Sequence, residues 1–243
     1  MTSASETAVE ARSAEVHHTH RDVIGGWLRP AVFGAMDGLV SNVALIAAIA
    51  GAGASRHVVL LAGLAGLLAG AFSMAAGEWT SVQSQTELVR AEIAKEQREL
   101  VRKPAAEQAE LAALYRHRGL SPALAAQVAQ ELSRDPESVW RIHVREELGV
   151  DPDNLASPYV AAASSLASFA AGALVPMLPY IAGGHVLWPT LIVAAVDLVV
   201  LGGLVARFTD KPWWTGSLRQ LALGAAAAGI TYGVGSAFGV GLS

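Results

Sequence analysis

One carboxylate, Asp37, stands inside the apolar run 31–54, AVFGAMDGLVSNVALIAAIAGAGA. A run of that kind can cross a bilayer, which needs about 20 residues. A carboxylate at such depth costs about 2.5–3.5 kcal/mol on insertion scales, so its presence points to work with cations or protons. A second set of carboxylates is regularly spaced. Glu96 and Glu99 lie three residues apart, and the pair recurs eleven residues later as Glu107 and Glu110. Eleven residues are close to three helical turns, so one straight helix would hold all four within an arc of about 80°. Clustered carboxylates are hard oxygen donors that suit divalent cations. The same spacing also fits a solvated helix with ordinary ion pairs, such as Glu99 with Lys103. His143, Glu146 and Glu147 add an imidazole and two carboxylates on one short stretch. Asp197 is a second charge within an apolar run, and His17, His18 and His20 crowd the polar N-terminal stretch.

Composition defines the elements that must position these groups. The chain has 243 residues, 53% hydrophobic and 16% charged. An ordinary soluble domain is about 25% charged, so the balance points to a membrane protein. There is no cysteine, which excludes disulfides and thiolate metal sites. The net charge of −4 leaves no basic footprint for nucleic acid. Residues 1–29 are polar and mixed in charge, unlike a signal peptide, and read as a cytoplasmic tail. Most of the chain's charge falls within residues 87–154. The expected fold is therefore all-α: a polytopic membrane protein with a cytoplasmic helical insertion. Its divisions are the tail 1–29, two spans within 30–86, a Glu-rich domain at 87–156 and three spans within 157–243.

The five expected spans are 31–54, 58–78, 159–181, 186–206 and 217–242. Spans 1 and 2 are joined by a few residues and so run antiparallel. Asp37 then lies roughly 9 Å from one membrane face and Met74 roughly 6 Å from the same face, at about 1.5 Å per residue. A hard oxygen and a soft thioether can meet at one level, with Glu78 at the mouth. Span 2 carries no stop signal, so its helix continues through the glutamates until Pro104 bends it. Ser121-Pro122 and Asp135-Pro136 open two further short helices. Pro176 and Pro179 predict a break near the end of span 3. Trp27, Trp79, Trp188, Trp213 and Trp214 fall at span ends, as an aromatic belt does. Arg207, Lys211 and Arg219 flank the turn between spans 4 and 5. The positive-inside rule then places the N-terminus in the cytoplasm and the C-terminus outside.

With these residues in place, the sequence resembles the vacuolar iron transporter family. The resemblance rests on GAMDGLVSN in span 1, AGLAGLLAGAFSMAAGEW in span 2, the Glu-rich helix and EELG at residues 146–149. It implies a five-span homodimer without a fused ferritin-like domain. It implies proton-coupled antiport of Fe²⁺, or Mn²⁺, out of the cytosol for metal detoxification and homeostasis. These ions are cargo; no tightly bound cofactor is expected. In family terms Asp37 and Met74 are pathway residues. Glu96, Glu99, Glu107, Glu110 and Glu147 belong to a cytoplasmic three-helix domain that captures metal. One departure concerns the two methionines that precede that last glutamate in the family. Here His143 and Val144 stand there, so an imidazole takes one ligand position and the other is lost. Asp197 matches no family residue and is a candidate for the proton path. The Ala-rich composition points to a GC-rich bacterium and its plasma membrane.

Two other readings compete. A membrane-attached di-iron oxidase needs Glu-x-x-His pairs on its helices, and residues 87–154 contain none, so no enzyme is expected. A membrane-anchored metal buffer or sensor would have no use for Asp37 or Asp197 in lipid. A transporter of another divalent cation keeps the same architecture.

Overall fold

The computed structural model describes residues 26–135 and 137–239. The regular elements among them are all helical. Helix α1 is Leu28–Gly51. It begins a turn before the expected span because Pro30 fits the first turn, where a missing N–H is not needed. It gives way at Gly51, and Gly53 turns the chain with φ of +78°. Helix α2 is Arg56–Arg102, 47 residues without interruption. At about 1.5 Å per residue it is roughly 70 Å long, more than twice a hydrocarbon core. Its apolar first half can span, and its charged second half runs on beyond.

Helix α2 stops where expected. Lys103 leaves the helical region (φ −138°, ψ 51°) and Pro104 opens α3, Pro104–His117. Helix α4 is Pro122–Leu132, capped by Ser121 Oγ, which accepts from the Leu124 N–H at 3.4 Å. Helix α5, Val139–His143, passes straight into a π turn, Val144–Leu148, and Gly149 closes it in the left-handed region. The residues between the second and third spans thus hold the tail of α2 and three shorter helices.

Helix α6, Pro158–Leu174, starts on Ser157 Oγ, which accepts from the Val160 N–H. Pro176 then forces a 3₁₀ turn, Val175–Met177, before the short α7, Leu178–Ile181. This is the break the prolines predict. Helices α8 (Trp188–Phe208) and α9 (Trp213–Gly239) complete the described chain. The last span starts a turn before its expected residue, and its expected end at 242 lies outside the described residues. Among the described residues, five helical segments are long and apolar enough to cross a membrane.

Helix α1 is the hub, packed on α6, α9, α2 and α8. In lipid, helices associate by close packing, which small residues allow. A Cβ on Gly38 would land on the Phe169 carbonyl, and one on Gly172 on the Ala35 carbonyl. The α1–α6 contact is therefore backbone against backbone. Leu39 and Val43 pack on Ala194 and Leu198 of α8. The five expected belt tryptophans are all exposed. Arg56, beside the short α1–α2 turn, donates to the Tyr180 and Ile181 carbonyls at 2.7 and 3.2 Å. It thereby satisfies acceptors at the end of α7.

Candidate functional site

Two groups of polar residues stand out, one in the membrane-spanning part and one beyond it. The first surrounds a cavity of about 340 Å³ between α1, α2 and α6. Asp37 and Met74 both line it, so the antiparallel geometry brings oxygen and thioether to one cavity. Asp37 is exposed, on a face of α1 that this single chain leaves open. Ser41 Oγ donates to the Asp37 backbone carbonyl at 2.5 Å, which leaves the carboxylate itself unengaged by that hydroxyl. One turn beyond Met74, Glu78 is 8% exposed, and its Oε2 has no hydrogen-bond partner. Its nearest cation is the exposed Arg29, at 3.7 Å. Asp197 lies half-buried on α8 and does not line this cavity.

The second group combines Glu96 of α2, Glu107 of α3, and His143 and Glu147 of the α5–π-turn segment. Each offers a ligand atom within 4.8 Å of the others. His143 is fully buried, with Nδ1 2.9 Å from Glu147 Oε1 and 3.1 Å from Glu96 Oε1. Glu107 is 6% exposed. Burial, reinforced by Glu147, pushes the Glu96 carboxyl up to about 7, against the opposing pull of His143. Burial and then Glu110 and Glu99 push Glu107 up. The three carboxylates held this closely repel one another, and a divalent cation would relieve that repulsion.

The break at Lys103 makes this group possible. On one straight helix, Glu96 and Glu107 would be about 16 Å apart along the axis, at about 1.5 Å per residue. They meet because α3 leaves the line of α2. The shared helical face inferred from the eleven-residue spacing is therefore not what unites them. Glu99 and Glu110 stay outside the four-residue group; Glu99 is half-buried and Glu110 exposed.

Several residues escaped the sequence reading. Tyr115 and Arg118, at the end of α3, hold Glu146: the Tyr115 hydroxyl donates at 3.2 Å and Arg118 forms an ion pair. Glu146 is thus engaged away from the cluster while its neighbour Glu147 faces it. Nothing in the spacing separated these two glutamates, because a π turn carries no sequence signature of its own. Asn42 is the other omission. It was visible as an amide within an apolar run, and the structure places it, 2% exposed, against the Asp37 cavity. His17, His18 and His20 lie outside the described residues.

Five helices long and apolar enough to cross a membrane among the described residues, three of them enclosing the cavity that Asp37 lines, define a multi-pass membrane protein. The sequence pattern of the VIT family matches residues 28–236. The chain is 37% identical to the vacuolar iron transporter of Acanthamoeba castellanii, over 89% of this chain and 81% of that protein. It is 31% identical to vacuolar iron transporter 1 of Oryza sativa subsp. japonica, covering 91% of this chain and 89% of the relative. With vacuolar iron transporter 1 of Arabidopsis thaliana it shares 28% identity, across 89% and 88%. The chain belongs to the VIT family, a family of membrane transporters and not of enzymes.

Proposed function

We propose that this protein is a proton-coupled antiporter that exports Fe²⁺, with Mn²⁺ as a second cargo, from the cytosol. The observation that carries the reading is the meeting of Asp37 and Met74 in one cavity between spanning helices. The relatives' names supply iron. Glu96, Glu107, His143 and Glu147 capture the hydrated ion on the cytoplasmic side, with Glu99 and Glu110 adding negative field. Helix α2 carries both Glu96 and Met74, so capture and passage share one continuous rod. The ion passes Glu78 and reaches Asp37 and Met74.

An open Asp37 on a spanning helix supports a homodimer that covers it, since a carboxylate facing lipid is costly. Two such carboxylates near one another retain a proton when no metal is bound. Metal arrival releases that proton, and a proton from the far side later displaces the metal. Asp197, the other intramembrane carboxylate, is assigned to the proton path. The N-terminus lies inside, because Arg207, Lys211 and Arg219 gather around the α8–α9 turn, and the Ala-rich composition supports a bacterial plasma membrane as the site. Arg56, on the opposite side, is already engaged with α7 carbonyls.

The test is metal uptake into proteoliposomes under an imposed pH gradient. Asp37→Ala abolishes gradient-driven uptake; uptake at the wild-type rate removes the pathway from consideration. A second reading changes only the cargo. The imidazole in the cluster is a nitrogen donor that also serves Zn²⁺, and competition among Fe²⁺, Mn²⁺, Zn²⁺ and Co²⁺ in the same assay decides it.

A further inference from the structure

Asn42 is an unusual residue to bury in a spanning helix. Its Nδ2 donates to the Ala173 carbonyl of α6 at 2.6 Å. That carbonyl can only accept, so the amide orientation is fixed and Oδ1 must point the other way. Oδ1 is buried and has no hydrogen-bond partner. A buried oxygen left in that state has lost its hydrogen bonds to water without regaining a partner. Asn42 also lines the cavity that holds Asp37 and Met74. Asn42 follows Asp37 by five residues, so it lies about 7 Å further from the mouth at about 1.5 Å per residue.

The facing helix leaves room for this oxygen. A Cβ on Gly66 of α2 would come 3.2 Å from Asn42 Oδ1 and 2.6 Å from a Leu45 methyl. Glycine at this position therefore lets the amide oxygen and the Leu45 methyl lie close against the α2 backbone at the edge of the cavity.

We propose that Asn42 Oδ1 is a cation ligand in the same cavity, further from the mouth than Asp37. This rests on the pathway reading above and adds a residue and a role to it. The chemistry suits a relay. A neutral amide oxygen replaces one water of a hard divalent ion without adding a second fixed negative charge. Conduction needs sites that bind well enough to admit the ion and weakly enough to release it. Anchoring by Ala173 spares the amide any reorganisation when the ion arrives.

The experiment is Mn²⁺ and Co²⁺ uptake into proteoliposomes by wild type, Asn42→Leu, Gly66→Ala and Asp37→Ala, with thermal melting of each. Asn42→Leu removes the oxygen at similar size. Gly66→Ala leaves Asn42 and its Ala173 bond intact but puts a methyl group before the oxygen. The Leu45 methyl it also meets ends a flexible side chain, which can move aside. Asn42→Leu and Gly66→Ala are each expected to slow Mn²⁺ uptake about tenfold, the equivalent of one lost ligand interaction of about 1.4 kcal/mol. Mn²⁺ uptake falls more than that of Co²⁺, because the lost donor is a hard oxygen; a merely structural role would slow both ions equally. Wild-type uptake by either folded variant overturns the proposal, as does an equal loss for both ions. Should Asn42→Leu fail to fold, Gly66→Ala decides alone. Wild-type uptake by Asp37→Ala overturns the pathway reading itself. An inactive Asp37→Ala beside a fully active Asn42→Leu overturns only the assignment of Asn42.

Discussion

His143 is fully buried among three carboxylates, and burial, reinforced by Glu147, pushes one of them, Glu96, up to about 7. If the cluster captures metal as proposed, protons and metal compete for Glu96 within the physiological range. Metal affinity of the full-length protein should fall as pH drops from 8 to 6, and titration calorimetry in detergent at several pH values reads this. Stability without metal has the opposite sign from the usual carboxylate. The Glu96 carboxyl is raised from 4.5 to about 7 in the folded state, so burying its charge opposes folding. That penalty is absent below pH 4.5, grows up to about 7 and is complete above it. Glu107 shifts in the same direction. Glu96→Gln should therefore raise the melting temperature of the metal-free protein at pH 8 and leave it little changed at pH 5. His143→Ala removes the one nitrogen donor and should weaken metal binding by about tenfold or more, in line with single-group losses at metal sites. An unchanged calorimetric affinity would show that the imidazole is no ligand.

At the scale of elements, the break between α2 and α3 sets the cluster. Pro104→Ala permits the helix to continue through Lys103, which would draw Glu107 away from Glu96. Circular dichroism should show helicity unchanged or increased while metal affinity drops about tenfold, the loss of one ligand contact. Retained affinity would mean that α3 is held in place by its packing alone. The α1–α6 contact makes a second point. Gly172→Ala places a methyl on the Ala35 carbonyl, and overpacking of that kind costs about 1–3 kcal/mol. Thermal melting should register it. These elements also show what the sequence could reveal. Apolar length, Pro30, Ser157 and Pro176 fix helix starts and breaks through local chemistry, so the spans were legible to within a turn. Asp37 and Met74 were paired by simple counting along antiparallel helices. The cluster was legible in its residues but not in its cause. Helical periodicity describes one straight helix, whereas the site needs a break and a return. The separate fates of Glu146 and Glu147 depend on Tyr115, Arg118 and a π turn, which are tertiary facts. The orphaned oxygen of Asn42 appears only once Ala173 is seen to fix its amide.

At the scale of the whole molecule, α1 is wrapped by α6, α9, α2 and α8, yet Asp37 remains open. In the proposed transport cycle that open carboxylate, its cavity and the distant cluster form one route, along α2, for a divalent ion driven by protons. The most direct test reconstitutes the full-length protein in liposomes, imposes a pH gradient and follows Fe²⁺ uptake and lumenal pH together. Proton-coupled antiport predicts that wild type moves Fe²⁺ one way and protons the other, that collapsing the gradient stops accumulation, and that Asp37→Ala moves neither ion. Equal Fe²⁺ accumulation by Asp37→Ala, or accumulation indifferent to the gradient, would contradict it.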